Sequence, residues 1–390
     1  MTRTQSKLLP ARPKRLPEEL LFCWLVRLSR ANALKIQELM TLIAGGARHS
    51  LLERDLDSYL NPRYAKSIAA LTSVSAEDLE RQTFFHQMPQ LTSLAPKPKT
   101  RRWVLPFVTQ SRRLVRPWTQ WCTVCLREDA TPYLRRHWRL AFVTVCSRHR
   151  IRLKDRCPHC GGPFNFHSLD MNARRFDRIV PITICGDCRR SILDDASVEP
   201  ASSCAEKFQR LLLWSLARGW LRVPQRGWTY SSLIFDVFIR LLGQLPGSKG
   251  LHLLFDDCLG RLPLLKAYGE PTVGERFEWW ALPLRHDAMA WLGALFDHWP
   301  HSFVERCTKL KVTSNAIWGD RGAAPYWFWS VVSEHLYRPW YRMTKEERQR
   351  AAQALKTDVP TTTYWLRQRL LKLHSVKISA QPSAEQLSMF

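Results

Sequence analysis

Apolar residues at helical spacing on both sides of a cysteine-rich centre predict a mainly α protein. Three observations set its plan. Stripes such as Leu20, Leu21, Trp24, Leu25 and Leu28 early on, and Phe208, Leu211, Leu212 and Leu216 later, suit helices that bury one face. Seven of the 11 cysteines crowd between Cys122 and Cys188. Lys and Arg number 59 against 34 Asp and Glu, a formal charge of +25. The predicted architecture is an N-terminal helix-turn-helix-like bundle, a central double zinc-ribbon module and a C-terminal helical domain with a second helix-turn-helix-like element. The expected divisions are residues 1–94, a basic aromatic linker over 95–120, the cysteine module over 121–200, the helical domain over 201–375 and a tail over 376–390.

In the first segment Glu18-Glu19 read as an acidic first turn, favourable at a helix N-terminus. A second helix is expected over Lys35–Ala44, stopped by Gly45-Gly46, and a third over Tyr64–Leu71. Ser75 then caps a helix, with Asp78 three residues on in the manner of a capping box. Helix, short turn and helix over residues 64–85 have the size of a helix-turn-helix, which many helical bundles share.

Residues 95–118 hold Lys97, Lys99, Arg101, Arg102, Arg112, Arg113 and Arg116 with no acidic residue. Four prolines preclude long helices. Trp103, Phe107 and Trp118 are interleaved, so the stretch suits phosphates and stacked bases, or equally a linker whose aromatics dock on the module beside it.

The centre is organised as Cys122-x2-Cys125, Cys146-x2-His149, Cys157-x2-Cys160 and Cys185-x2-Cys188. A two-residue spacer lets one turn aim two ligands at one ion, and eight ligands fill two tetrahedral Zn²⁺ sites. Every site can be closed by four protein ligands, so the role expected is structural rather than catalytic. Sequential pairing closes two short loops, Cys122/Cys125/Cys146/His149 and Cys157/Cys160/Cys185/Cys188, and a cross-braced pairing uses the same eight residues. Gly161-Gly162 and Gly186 supply backbone freedom. His137, His159 and His167 are surplus to the ligand count. Arg135, Arg136 and Arg139, if helical, share one side and would meet phosphates or an acidic protein.

From Ala205 the chain reads as helical throughout, and most of its many tryptophans are expected in the core. Thr344-Lys345-Glu346-Glu347 opens a helix to about Leu355, and Pro360 begins another to about Leu373 that carries Arg367, Arg369 and Lys372. This basic helix is the better helix-turn-helix candidate for nucleic acid or another anionic partner.

The charge and aromatic content exclude a disordered chain and disfavour a metabolic enzyme. No apolar run reaches the roughly 18–20 residues of a membrane span, and the basic start has no signal-like apolar stretch. No phosphate-binding loop, dinucleotide fingerprint, metalloprotease motif or nucleophile elbow is present, so no catalytic residue is assigned.

The run Trp121-Cys-Thr-Val-Cys-Leu-Arg-Glu-Asp, then Pro132-Tyr-Leu-Arg-Arg-His-Trp-Arg-Leu, Val145-Cys-Ser-Arg-His149, Leu153 and Cys157-Pro-His-Cys-Gly-Gly resembles the TniQ/TnsD family of transposon target-selection proteins. Leu16-Pro17-Glu18-Glu19-Leu20 with Trp24 and Arg27, and the stretch from Asp55 through Leu79, are similar to it as well. The resemblance spans about residues 14–200 and is most specific in the cysteine module. It implies a non-enzymatic bacterial, cytoplasmic adaptor that marks an insertion site and recruits an AAA+ ATPase. Members associated with CRISPR systems are typically homodimers docked on an RNA-guided Cascade complex, and others bind DNA themselves. The rival readings are a stand-alone zinc-containing DNA-binding regulator and a nuclease or recombinase with a cryptic site. Outside the family pattern, Gln386-Leu387-Ser388-Met389-Phe390 resembles peptides that dock on bacterial sliding clamps, with Gln386, Leu387, Met389 and Phe390 as the contacts.

Overall fold

The computed structural model describes residues 8–46, 51–93, 102–110, 113–170, 180–260, 271–272, 274–319 and 324–336. Helices α1 (Leu21–Ala31) and α2 (Ile36–Ala44) open it, and α2 ends at Gly45 as expected. Helix α3 (Pro62–Thr72) starts earlier than the apolar stripe suggested, because the Asn61 side chain accepts from the Arg63 N–H and Pro62 holds the first helical position. A three-residue turn leads to α4 (Ala76–Arg81), where Ser75 Oγ accepts from the Asp78 N–H at 3.0 Å. A short α5 (Met88–Leu91) follows.

Glu18 and Glu19 do not form an acidic first turn. They precede α1 and pair the chain with the centre: the Leu20 N–H donates to Leu134 O at 2.9 Å and the Arg136 N–H to Glu18 O at 2.6 Å. The Glu19 carboxylate is buried, accepts from the Leu16 N–H and takes both contacts of the Arg27 guanidinium at 2.8 and 3.0 Å.

Two of the three linker aromatics, Trp103 and Trp118, are core, and Phe107 packs half-buried against it. Trp103 is fully buried, edge-on to Phe142, Phe235 and Phe277, and Trp118 packs against Phe22, Phe107 and Phe166. Their rings therefore offer no face to a nucleobase. The linker forms a two-stranded ladder, β1 (Thr109–Gln110) with β2 (Arg113–Leu114).

After α6 (Thr123–Glu128) and the β3–β4 pair (Val145–Cys146 with Ile151–Arg152), the chain returns to helix at α7 (Ser203–Arg218). It is not helical throughout. Strands β5 (Trp220–Val223) and β6 (Gly227–Tyr230) form an antiparallel hairpin between α7 and α8 (Ser231–Gln244). Gly219 ends α7, and the Trp-Leu-Arg-Val and Gly-Trp-Thr-Tyr runs are aromatic and β-branched enough to extend. Then come α9 (Lys249–Leu259), α10 (Leu282–Phe296), α11 (His301–Lys309), α12 (Ser314–Trp318) and α13 (Tyr326–His335). Phe208, Leu212 and Leu216 of α7 face inward as expected, whereas Leu211 is 42% exposed. Buried apolar side chains from Leu20 to Leu336 make one contiguous core. The expected helix pair over 344–373 and the tail peptide lie outside the described residues.

Candidate metal centres

The eight predicted ligands fall into two groups, Cys122, Cys125, Cys146 and His149 in one, and Cys157, Cys160, Cys185 and Cys188 in the other. This grouping is the sequential one. In each group the ligand atoms lie within 4.8 Å of one another.

Local backbone explains how. In three of the four pairs the residue four places after the first ligand returns its N–H to that ligand's carbonyl from a left-handed backbone. The bonds are Arg150 to Cys146 at 2.7 Å, Gly161 to Cys157 at 2.9 Å and Arg189 to Cys185 at 2.8 Å. The same three residues are left-handed, with φ of 55°, 68° and 60°. Each knuckle thus turns both ligands to one side and reverses the chain. The pair Cys122/Cys125 instead caps a helix: Cys122 Sγ accepts from the Cys125 N–H at 3.4 Å, and the Leu126 N–H bonds Cys122 O at 3.1 Å. Gly186 serves by close approach rather than by a positive φ, because a Cβ there would lie 2.0 Å from Ser168 Oγ and 2.3 Å from Asn165 O.

The spacing of the donors fits a tetrahedral ion. Zn–S bonds of about 2.3 Å imply S···S edges near 3.8 Å. The Cys125–Cys146 sulfurs are 3.6 Å apart, and His149 Nδ1 lies 3.4, 3.3 and 3.5 Å from the sulfurs of Cys122, Cys125 and Cys146. In the second group the sulfurs of Cys157 and Cys188 are 3.6 Å apart and those of Cys160 and Cys185 4.0 Å. None of these is near the roughly 2.05 Å of a disulfide. Burial pushes the Cys157 thiol up to about 12, and a bound cation would favour its thiolate. His149 Nε2 faces Glu128 Oε2 at 3.1 Å on the helix that carries Cys125, the outer carboxylate that orients a ligating imidazole. Four ligands per group leave no open position, so a bound ion would act as a cross-link and not as a Lewis acid. The three surplus histidines lie outside both groups. His159 Nε2 faces Ser191 O at 2.9 Å, while His137 is half-buried against Trp138 and His167 is buried against Phe22.

The arginines read as one basic helix face are placed otherwise. Residues 136–139 form one 3₁₀ turn, and the side chains turn inward. Arg139 is fully buried, forks onto Asp55 with Nη2 at 2.8 Å from Oδ2, and donates to Leu105 O and Trp118 O. Arg135 pairs with Asp129 at 2.8 and 3.1 Å and stacks over Tyr133 and Trp138. Arg136 spans Glu18 and Gln82 O. An anion would have to displace these carboxylates, so the expected phosphate face is corrected to a set of internal braces. Arg102 is exposed, whereas Arg101, Arg112, Arg367, Arg369, Lys372 and the Arg113 side chain lie outside the described residues.

Sequence reasoning missed Arg285. It is buried in α10, donates to Ala141 O at 2.9 Å and Trp280 O at 3.1 Å, and faces Asp155 at 3.3 Å. Burial lowers its pKa to about 10. Asp155, an isolated acid in an acid-poor stretch, was the available signal for Arg285.

The fold and the centres define a mainly helical protein with two four-residue Cys/His groups, each of which could hold a metal ion. Residues 10–153 match the TniQ family model. The match takes in the first metal group whole and ends before the second. No curated protein matches the chain. Among the described residues no helix is long and apolar enough to cross a membrane.

Proposed function

We propose that this protein is a non-enzymatic target-selection adaptor of transposition, which associates with target DNA directly or through an RNA-guided Cascade complex and recruits an AAA+ ATPase. The observation that carries this reading is the TniQ match over residues 10–153. Two Zn²⁺ held by Cys122, Cys125, Cys146 and His149 and by Cys157, Cys160, Cys185 and Cys188 would brace it. The +25 charge supports a nucleic-acid partner and a cytoplasmic bacterial setting suits the free thiols, while a homodimer remains part of the reading.

The N-terminal helix pair is the weaker candidate for the DNA contact. Its second helix, α4, is six residues long and carries Glu77, Asp78 and Glu80, with Arg81 already held by Glu77 and Asp78. That face repels phosphate. The basic helix with Arg367, Arg369 and Lys372 and the clamp-like peptide with Gln386, Leu387, Met389 and Phe390 remain proposals on sequence alone.

Copurification from cells that express the neighbouring genes tests the reading. The ATPase, with or without guide RNA, is expected in the complex, and RNA content separates Cascade docking from direct DNA reading. A chain that binds duplex DNA but never the ATPase would be the stand-alone regulator, and metal-dependent DNA cleavage would make it an enzyme.

A further inference from the structure

The β5–β6 hairpin and the outer side of α7 lie beyond the TniQ match and carry a feature that packing does not use. Trp228 is 66% exposed, Tyr230 72% and Trp214 39%. Trp214, Trp220 and Trp228 form a zigzag. Trp214 meets Trp220 edge-on at 5.4 Å, and Trp220 meets Trp228 edge-on at 4.4 Å. Arginines are threaded through it: Arg218 sits over Trp214 at 4.6 Å and Trp220 at 5.9 Å, and Arg222 over Trp228 at 6.0 Å. From Lys207 to Phe235 there are five basic residues and no acid. Arg226 is spent on Glu334 at 3.0 Å and Arg210 lies near Glu206 at 3.8 Å. Arg218 and Arg222 have no carboxylate partner among the described residues.

Large indole and phenol faces left in water need an occupant, and their surroundings state its chemistry. Two unpaired guanidiniums without a neighbouring acid call for an anion. Exposed ring faces call for flat apolar partners. A duplex offers phosphates but keeps its base faces stacked inside, whereas an unpaired strand offers both. We propose that this ladder is a docking surface for an unpaired nucleic-acid strand, with bases on Trp228 and Tyr230 and phosphates on Arg218 and Arg222. Beside Arg222 the apolar surface continues into a cavity of about 280 Å³ walled by Leu221, Phe238, Phe296, Trp299 and Trp327. The inference rests on the nucleic-acid side of the proposed function and names the kind of strand. Trp, Tyr and Arg also dominate protein interfaces, and the lack of any acid within residues 207–235 or paired with Arg218 and Arg222 among the described residues favours the polyanion.

The test uses the full chain with zinc and two labelled probes, oligo(dT) of about 20 nucleotides and a duplex of equal length, read by fluorescence anisotropy. Trp228→Ala/Tyr230→Ala is expected to weaken oligo(dT) binding about tenfold or more and to leave the duplex within about twofold. Trp228→Phe restores most of the loss, since it keeps a ring face. Arg218→Gln/Arg222→Gln reduces the salt dependence for oligo(dT) by about 1.4 in log–log slope. Unchanged oligo(dT) affinity in the aromatic double variant, with duplex binding intact, overturns this inference alone. If that variant loses the ATPase instead, the face belongs to a protein partner and the inference falls equally. Wild-type protein that binds neither probe removes the nucleic-acid reading beneath it.

Discussion

Arg139 concentrates the chemistry of the N-terminal half in one side chain. Its guanidinium is out of water, its fork is on Asp55, and Trp118 and Phe84 lie over its plane. Removing one partner of such a buried pair strands the other charge, at a cost of about 3–5 kcal/mol. Arg139→Ala is therefore expected to lower the melting temperature sharply, and Arg139→Lys nearly as much, because a single ammonium cannot serve Asp55, Leu105 O and Trp118 O together. A denaturant titration that shows wild-type stability for either would remove the bracing role. His167 makes a second prediction. It sits among Phe22, Phe107 and Phe166, and burial lowers its pKa from 6.5 to about 3. A depressed histidine contributes stability that is full above pH 6.5 and is lost as pH falls through the folded value. Asp57, raised by burial to about 6, works in the opposite sense, since its contribution is full below 3.8 and is lost as pH rises through 6. His167→Phe should accordingly flatten the fall in melting temperature between pH 6.5 and 4, measured against wild type.

Among the elements, the knuckles repeat one solution three times, with a left-handed residue that closes the turn after each first ligand. Two of those residues are arginines, at φ 55° and 60°. A β-branched side chain is poorly tolerated there, so Arg189→Val is expected to cost about 1–2 kcal/mol and Arg189→Gly to be neutral or slightly stabilising. Thermal melts of the zinc-loaded variants check the order. The ligand itself is a larger lever: Cys160→Ser should remove one ion per chain and unfold the second site, since structural zinc contributes on the order of 10 kcal/mol. A Cys160→Ser protein with two ions and an unchanged melt would take that residue out of the ligand set. The helices show why periodicity succeeded in part. Ser75 and Gly45 are readable because capping is local chemistry, whereas at Asn61-Pro62 the cap and the apolar stripe, which begins later, point to different starts. The hairpin after α7 was hidden because Trp and Leu at Trp220–Val223 suit strand and helix alike.

For the whole molecule, the metal count joins charge to stability. Two Zn²⁺ would add +4 and seven thiolates would remove seven protons, so +25 would become about +22 and the chain would stay strongly basic. Metal analysis is expected to find about two Zn per chain, and chelation with thiol blockage to lower the melt of the whole protein, because one core runs from Leu20 to Leu336. A module that lost its metal while the helical signal melted unchanged would show that the core is divided.

The sequence by itself determined what depends on spacing and on neighbours in the chain: the four Cys/His ligand pairs, the caps, the helical character and the family likeness, whereas the tertiary structure decided which pairs share a group. Ligand pairs three residues apart meet by local geometry alone, so no distant residue could alter that result. Tertiary structure decided which cations face solvent. Arg135, Arg136 and Arg139 turned inward because Asp129, Glu18 and Asp55, distant or unremarked in sequence, arrive beside them, while Arg218 and Arg222 stayed outside for want of any such acid. A charge is legible in one residue, but its availability is a property of what packs against it.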